Sequence, residues 1–219
     1  MKSDNIPPFE AILIIIATFV LLLFVGSAFY VLFGDAFASP LGELLVAVLP
    51  LIYMLARKIH IRSYIGAGIN FKTFLLGITV GFSLVLFDIL ISNLLYAAFG
   101  PSQAAEASNK LTINLASSTP GLLSVLITVV FAGVCEEFAF RGFLLSAIER
   151  KYSFWPALLV SSIAFGLFHI DPQFIWTIAA FLMGLMFGYA YHRWHSYTIC
   201  ALAHVTIDFV AVTLVLLIR

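Results

Sequence analysis

Three short clusters of ionisable residues interrupt otherwise apolar stretches of this sequence: Cys135-Glu136-Glu137-Phe138-Ala139-Phe140-Arg141-Gly142, Phe165-Gly166-Leu167-Phe168-His169 and His204-Val205-Thr206-Ile207-Asp208. A charged group at the centre of a bilayer costs roughly 2.5–3.5 kcal/mol on insertion scales, so such groups face a partner or a wet cavity. Spacing suggests the partners. Residues four apart share a helix face, which pairs Glu137 with Arg141 and His204 with Asp208. Asp208 can then orient the His204 ring. Glu136 points about 100° away from Glu137 on a regular helix and is free of the arginine pair. A glutamate and a histidine sharing a water can take its proton and aim it at a carbonyl. Donors on a facing helix can stabilise the oxyanion that develops. The chemistry these residue types allow is amide hydrolysis without a covalent enzyme intermediate.

The elements that must position these groups are membrane helices. Of the 219 residues, 63% are hydrophobic and 10% are charged, against roughly 25% charged in a soluble domain. About 20 apolar residues cross a hydrocarbon core about 30 Å thick. The sequence offers seven such stretches, near 10–33, 41–56, 73–99, 121–148, 155–170, 174–191 and 196–218. It therefore predicts an all-α polytopic membrane bundle, a single membrane domain over 1–219 with a catalytic motif region at 121–208. Turn formers mark the breaks, among them Gly34-Asp35, Gly100-Pro101, Pro120-Gly121 and Asp171-Pro172. The apolar run from Ala11 to Phe33 exceeds the roughly 7–15 residues of a signal core, so it is expected to remain as the first span. Segment 102–118 is polar and suggests a short surface helix. Segment 57–72 reads as a basic loop.

Eleven basic and eleven acidic residues give zero net charge, which excludes a nucleic-acid footprint. The distribution is informative where the total is not. Seven spans put Lys2, Arg57, Lys58, Arg62, Lys72, Arg150, Lys151 and Arg193 on one face and leave Lys110 and Arg219 on the other. The positive-inside rule turns the first face, with the N-terminus, toward the cytoplasm. At 1.5 Å per residue from that face, Glu136 lies about 18 Å deep, Glu137 about 16, Arg141 about 10, His169 about 20, His204 about 12 and Asp208 about 18. The six share one layer and can meet in one pocket between the fourth, fifth and seventh spans, expected to open toward the cytoplasm or inner leaflet. Cys135 and Cys200 both fall in apolar stretches, where a thiol is a packing group and unreactive.

The pattern Glu-Glu-x-x-x-Arg at Glu136, Glu137 and Arg141, Phe-x-x-x-His at Phe165 and His169, and His-x-x-x-Asp at His204 and Asp208 resembles the CAAX-protease and bacteriocin-processing membrane family. That family includes the endopeptidases that trim prenylated CAAX proteins. The resemblance covers about 121–208. It implies that Glu136 and His169 activate the water, that Glu137 and Arg141 support the site, and that His204 with Asp208 forms the oxyanion side. It implies no cofactor and no metal. In the eukaryotic form the last motif ends in Asn, a donor; an ionised Asp accepts only. Many prokaryotic members resemble this chain in having Asp there, where it orients His204 or is held protonated. The implied partners are the lipid bilayer and a membrane-associated peptide or protein substrate. Short loops suggest a multi-pass protein of a bacterial inner membrane.

Three other readings use the same residues. A zinc hydrolase could draw three ligands from them, although His-Glu-x-x-His is missing and Arg141 would oppose a cation. A proton carrier would string them along a path rather than in one layer. A non-catalytic scaffold or bacteriocin self-immunity protein would keep them for stability alone. Asp88 and Asn93, in the third span, are candidates either for the cavity wall or for interhelical hydrogen bonds.

Overall fold

The computed structural model describes residues 5–66 and 68–218, so Lys2 and Arg219 lie outside the described residues. The described chain forms nine helices. They are α1 (Pro8–Phe33), α2 (Asp35–Ala56), α3 (Ile61–Ile65), α4 (Phe71–Phe99), α5 (Gln103–Leu115), α6 (Thr119–Glu149), α7 (Phe154–Phe168), α8 (Ile175–Trp194) and α9 (Tyr197–Leu217). Six are long and apolar enough to cross a membrane: α1, α2, α4, α6, α8 and α9. The fifteen-residue α7 is apolar and shorter. These seven helices are the seven stretches legible in the sequence, in an all-α polytopic membrane bundle. Large exposed side chains such as Phe24, Val31, Leu86 and Trp155 lie on its outside, where lipid rather than water meets them.

Helix α2 starts six residues earlier than expected, at Asp35. Pro40, which lies inside it, has no N–H for the carbonyl of Ala36, a loss that usually breaks a helix. The Ser124 hydroxyl of α6 donates to that carbonyl instead. The helix therefore continues through the proline, and the same bond ties α2 to α6.

Helix α6 departs from regular geometry where its motif lies. It is α-helical over Thr119–Phe131 and then widens into π-helical turns over Ala132–Glu136 and Phe138–Leu145. Such i→i+5 turns mark functional segments in many proteins. Polar side chains support the altered ladder, with Ser161 of α7 donating to Phe140 O at 2.9 Å and Ser146 donating to Arg141 O at 3.0 Å.

Helix α9 packs along α4 and also against the π-helical part of α6. Small residues make the approach close. A Cβ at Gly133 of α6 would stand 2.5 Å from Val205 Cγ2 and 2.9 Å from the carbonyl oxygen of Ala201. On the other side, a Cβ at Gly81 of α4 would stand 2.6 Å from Thr206 Cβ. These contacts set how near His204 and Asp208 come to Glu136 and Glu137.

Segment 57–72 is more than the basic loop expected of it. Its short helix α3 places Tyr64 fully buried at one end of the bundle. The Tyr64 hydroxyl accepts from Ile6 N at 2.8 Å, its carbonyl accepts from the Tyr191 hydroxyl, and the Arg150 guanidinium lies 4.0 Å over its ring. At the opposite end α5, the short helix expected in 102–118, packs on α9 and on the start of α6.

Candidate active site

Glu137 and Arg141 are both fully buried. Arg141 Nη1 donates to Glu137 Oε1 at 2.9 Å, and Nη2 donates to the carbonyl of Gly184 on α8 at 3.2 Å. The guanidinium also lies 4.4 Å from the Phe165 ring centroid and 5.1 Å from that of Phe187. An arginine excluded from water thus has a carboxylate, a carbonyl and two aromatic faces, which is what burial of a charge requires.

His204 completes the arrangement from α9. Its Nδ1 lies 2.9 Å from the same Glu137 Oε1 that Arg141 engages. A carboxylate in an ion pair accepts only, so Nδ1 carries the proton and donates. Nε2 then faces the cavity, 3.8 Å from Glu136 Oε2 and 3.5 Å from Asp208 Oδ2. The ring stacks on Phe187 with centroids 5.0 Å apart. The hydrogen bond that holds Nδ1 comes from Glu137 on another helix, and Asp208, the partner expected from the spacing, pairs with the other ring nitrogen. Asp208 approaches the nitrogen that faces the cavity, because one helical turn places it beside Nε2 and not behind the ring.

His169 is the last residue of the α7 turn and caps that helix. Its Nδ1 donates to the carbonyl of Phe165 at 2.9 Å, which leaves Nε2 as the acceptor in the neutral ring. That atom lies 3.9 Å from Glu136 Oε1. Asp171 and Thr177 hold the segment behind it. Asp171 is buried and accepts from the backbone of Gln173 and Thr177, and the Thr177 hydroxyl lies 3.2 Å from the carbonyl of His169. In the sequence Asp171 signalled only a turn.

The structure thus brings all six residues singled out in the sequence to one place, with Glu136 between two histidines from different helices. It adds one group that sequence reading missed. Glu43, on α2, lines the same cavity as Glu136, from a helix packed on the π-helical turn that carries it. The signal was present, because a carboxyl inside a membrane span is itself a functional cue. An assumed start of that span at residue 41 put Glu43 at the boundary and hid it. Of the two third-span candidates, Asp88 lines the cavity, whereas Asn93 donates back to Ile89 of its own helix.

The cavity has a volume of about 710 Å³. It is lined by the parts of α2, α4, α6, α7, α8 and α9 farthest from the basic loops, and by Ala105, Ser108, Thr112 and Leu115 of α5. The pocket, expected to open toward the face bearing the basic loops, lies in the other half of the bundle. Counting depth from that face placed the groups in one layer, but it could not tell which end of the bundle is hollow.

Residues 118–210 match the family described as type II CAAX prenyl endopeptidase Rce1-like. All three motifs lie within this segment, and the match supports their resemblance to the CAAX-protease and bacteriocin-processing family. A Bacillus subtilis protein named "Putative membrane peptidase YdiL" is 26% identical over 129 residues, which are 58% of this chain and 51% of that one. The chain spans about half the length of that curated relative. No solved structure matches it.

Proposed function

We propose that this chain is an intramembrane endopeptidase that hydrolyses a peptide bond of a membrane-associated peptide or protein with a water activated by Glu136 and His169. The observation that carries the reading is the placement of Glu136 between His169 Nε2 at 3.9 Å and His204 Nε2 at 3.8 Å. Both distances exceed a direct hydrogen bond and suit a water between the groups. Glu136 takes a proton from that water while the His169 Nε2 lone pair steadies it. The water oxygen bonds to the carbonyl carbon, and the carbonyl π electrons move to oxygen. His204, when it carries a proton on Nε2, donates to that oxyanion. Glu136 then returns its proton to the leaving nitrogen as the C–N bond breaks, and the resting carboxylate is restored.

The same reading assigns Glu137 and Arg141 to support of His204. It places the basic loops in the cytoplasm of a bacterial cell, so the substrate enters from the opposite side of the membrane, past α5. The endopeptidase family that residues 118–210 match supports proteolysis as the reaction.

The test uses the full chain in vesicles of phosphatidylethanolamine and phosphatidylglycerol with a library of quenched fluorescent peptides bearing an apolar anchor. The wild type cleaves members of the library. Glu136→Gln, near-isosteric but unable to accept the proton, lowers kcat by on the order of 10²–10⁴ and leaves detergent stability unchanged. Undiminished turnover of that variant removes Glu136 from the mechanism. Loss of wild-type activity on chelation with rescue by zinc moves the assignment to the metal-hydrolase reading.

A further inference from the structure

Glu43 belongs to none of the three motifs and lies outside the matched residues 118–210. Even so, its carboxyl lines the same cavity as that of Glu136, and the two helices that carry them are packed together there. Two ionised carboxylates side by side in a low-dielectric cavity repel, and neither can donate to the other. Carboxyl groups this close share one proton.

The surrounding charges favour one location for it. Glu136 has two histidine nitrogens within 4 Å, one from α7 and one from α9. Glu43 shares the cavity with the carboxyls of Glu136, Asp208 and Asp88 and with His204. Among the described residues no ion pair within 4.0 Å involves Glu43. The anion is therefore better placed on Glu136 and the proton on Glu43.

We propose that Glu43 is a positioning residue that keeps one proton and donates a hydrogen bond to Glu136, holding it anionic and aimed at the space between His169 and His204. The proposal rests on the water-activating reading of this site. During turnover the Glu43 proton stays where it is. The proton that moves is the water's, which passes to Glu136 and then to the leaving nitrogen. The pair also explains how a cavity lined by Glu43, Asp88, Glu136 and Asp208 holds its carboxyls so close: the proton between Glu43 and Glu136 removes one negative charge.

The experiment compares wild type, Glu43→Gln, Glu43→Ala and Glu136→Gln in the full chain, with two readouts. With the quenched peptides, Glu43→Gln keeps kcat within about threefold, since its amide is still a donor and a neutral hydrogen bond is worth little more. Glu43→Ala loses on the order of 10²-fold in kcat with KM unchanged, the scale at which a misplaced catalytic group is felt. The second readout is the infrared carbonyl band of protonated carboxyls at neutral pH. A component present in wild type and in Glu136→Gln disappears in Glu43→Gln. The proposal is overturned if Glu43→Gln is as inactive as Glu136→Gln, if Glu43→Ala keeps full activity, or if Glu43→Gln removes no component of the band. A wild type that cleaves no peptide defeats the proteolytic reading instead, and the infrared component then decides by itself whether Glu43 holds the proton.

Discussion

His204 and Glu137 meet across 2.9 Å between Nδ1 and Oε1, and this single bond fixes which nitrogen of the imidazole faces the cavity. The same oxygen accepts from Arg141. One buried carboxylate therefore joins a structural ion pair to the orientation of a histidine beside Glu136.

Removing either side of that carboxylate has different consequences. Arg141→Ala leaves Glu137 as a buried charge without its guanidinium, a loss of about 3–5 kcal/mol, visible as a lower detergent melting temperature and poor yield. Glu137→Gln keeps the volume but replaces the anionic acceptor, so stability changes less and kcat falls further. Equal stability of Arg141→Ala and wild type would show that Glu137 does not depend on the arginine.

Gly133 controls the distance between α6 and α9. A Cβ there would overlap Val205 Cγ2 at 2.5 Å and press on the Ala201 carbonyl at 2.9 Å, of which the side chain can turn but the backbone cannot. Gly133→Ala is expected to cost about 1–3 kcal/mol, the usual range for overpacking, and to lower activity by separating His204 from Glu137. Gly26→Ala is the control, because nothing lies within 4 Å of a Cβ at that position. A Gly133→Ala variant with wild-type melting and turnover would mean that the helices have room to part.

Asp208 lies 3.5 Å from His204 Nε2, on the reactive side of the ring. In the proposed reaction it acts on that nitrogen or on the oxyanion, and an amide can serve either purpose. Asp208→Asn keeps kcat within about tenfold, because one hydrogen bond is exchanged for another, while Asp208→Leu falls well below it. Should Asn and Leu prove equally damaging, the negative charge itself is required.

The access side can be read by labelling. Single cysteines at Ser108 on α5 and at Ser63 beside α3, in intact cells, are treated with a membrane-impermeant thiol reagent. With the proposed orientation, basic loops in the cytoplasm and α5 at the other end, Ser108→Cys should react and Ser63→Cys should not. The opposite labelling pattern would invert the bundle and move the substrate to the cytoplasmic side.

Much of the chain was legible as sequence because the physics is local. Apolar length identifies the six helices long enough to cross a membrane and the shorter apolar α7, and the cost of burying charge singles out Glu136, Glu137, Arg141, His169, His204 and Asp208. Their four-residue spacing gave the Glu137–Arg141 pair correctly. It also gave the His204–Asp208 pair, at 3.5 Å, but not the partner of Nδ1, which comes from another helix, because spacing describes only one. The π-helical turns of α6 were likewise invisible, because they depend on hydroxyls of Ser146 and Ser161 reaching particular carbonyls. Glu43 entered the site only through tertiary structure: Ser124 repairs the helix at Pro40, α2 continues, and its carboxyl arrives beside Glu136. The hollow end of the bundle is also a tertiary matter, decided by how helices splay and where α5 lies across them, whereas the sequence determines depth along each helix and says nothing of the space between them.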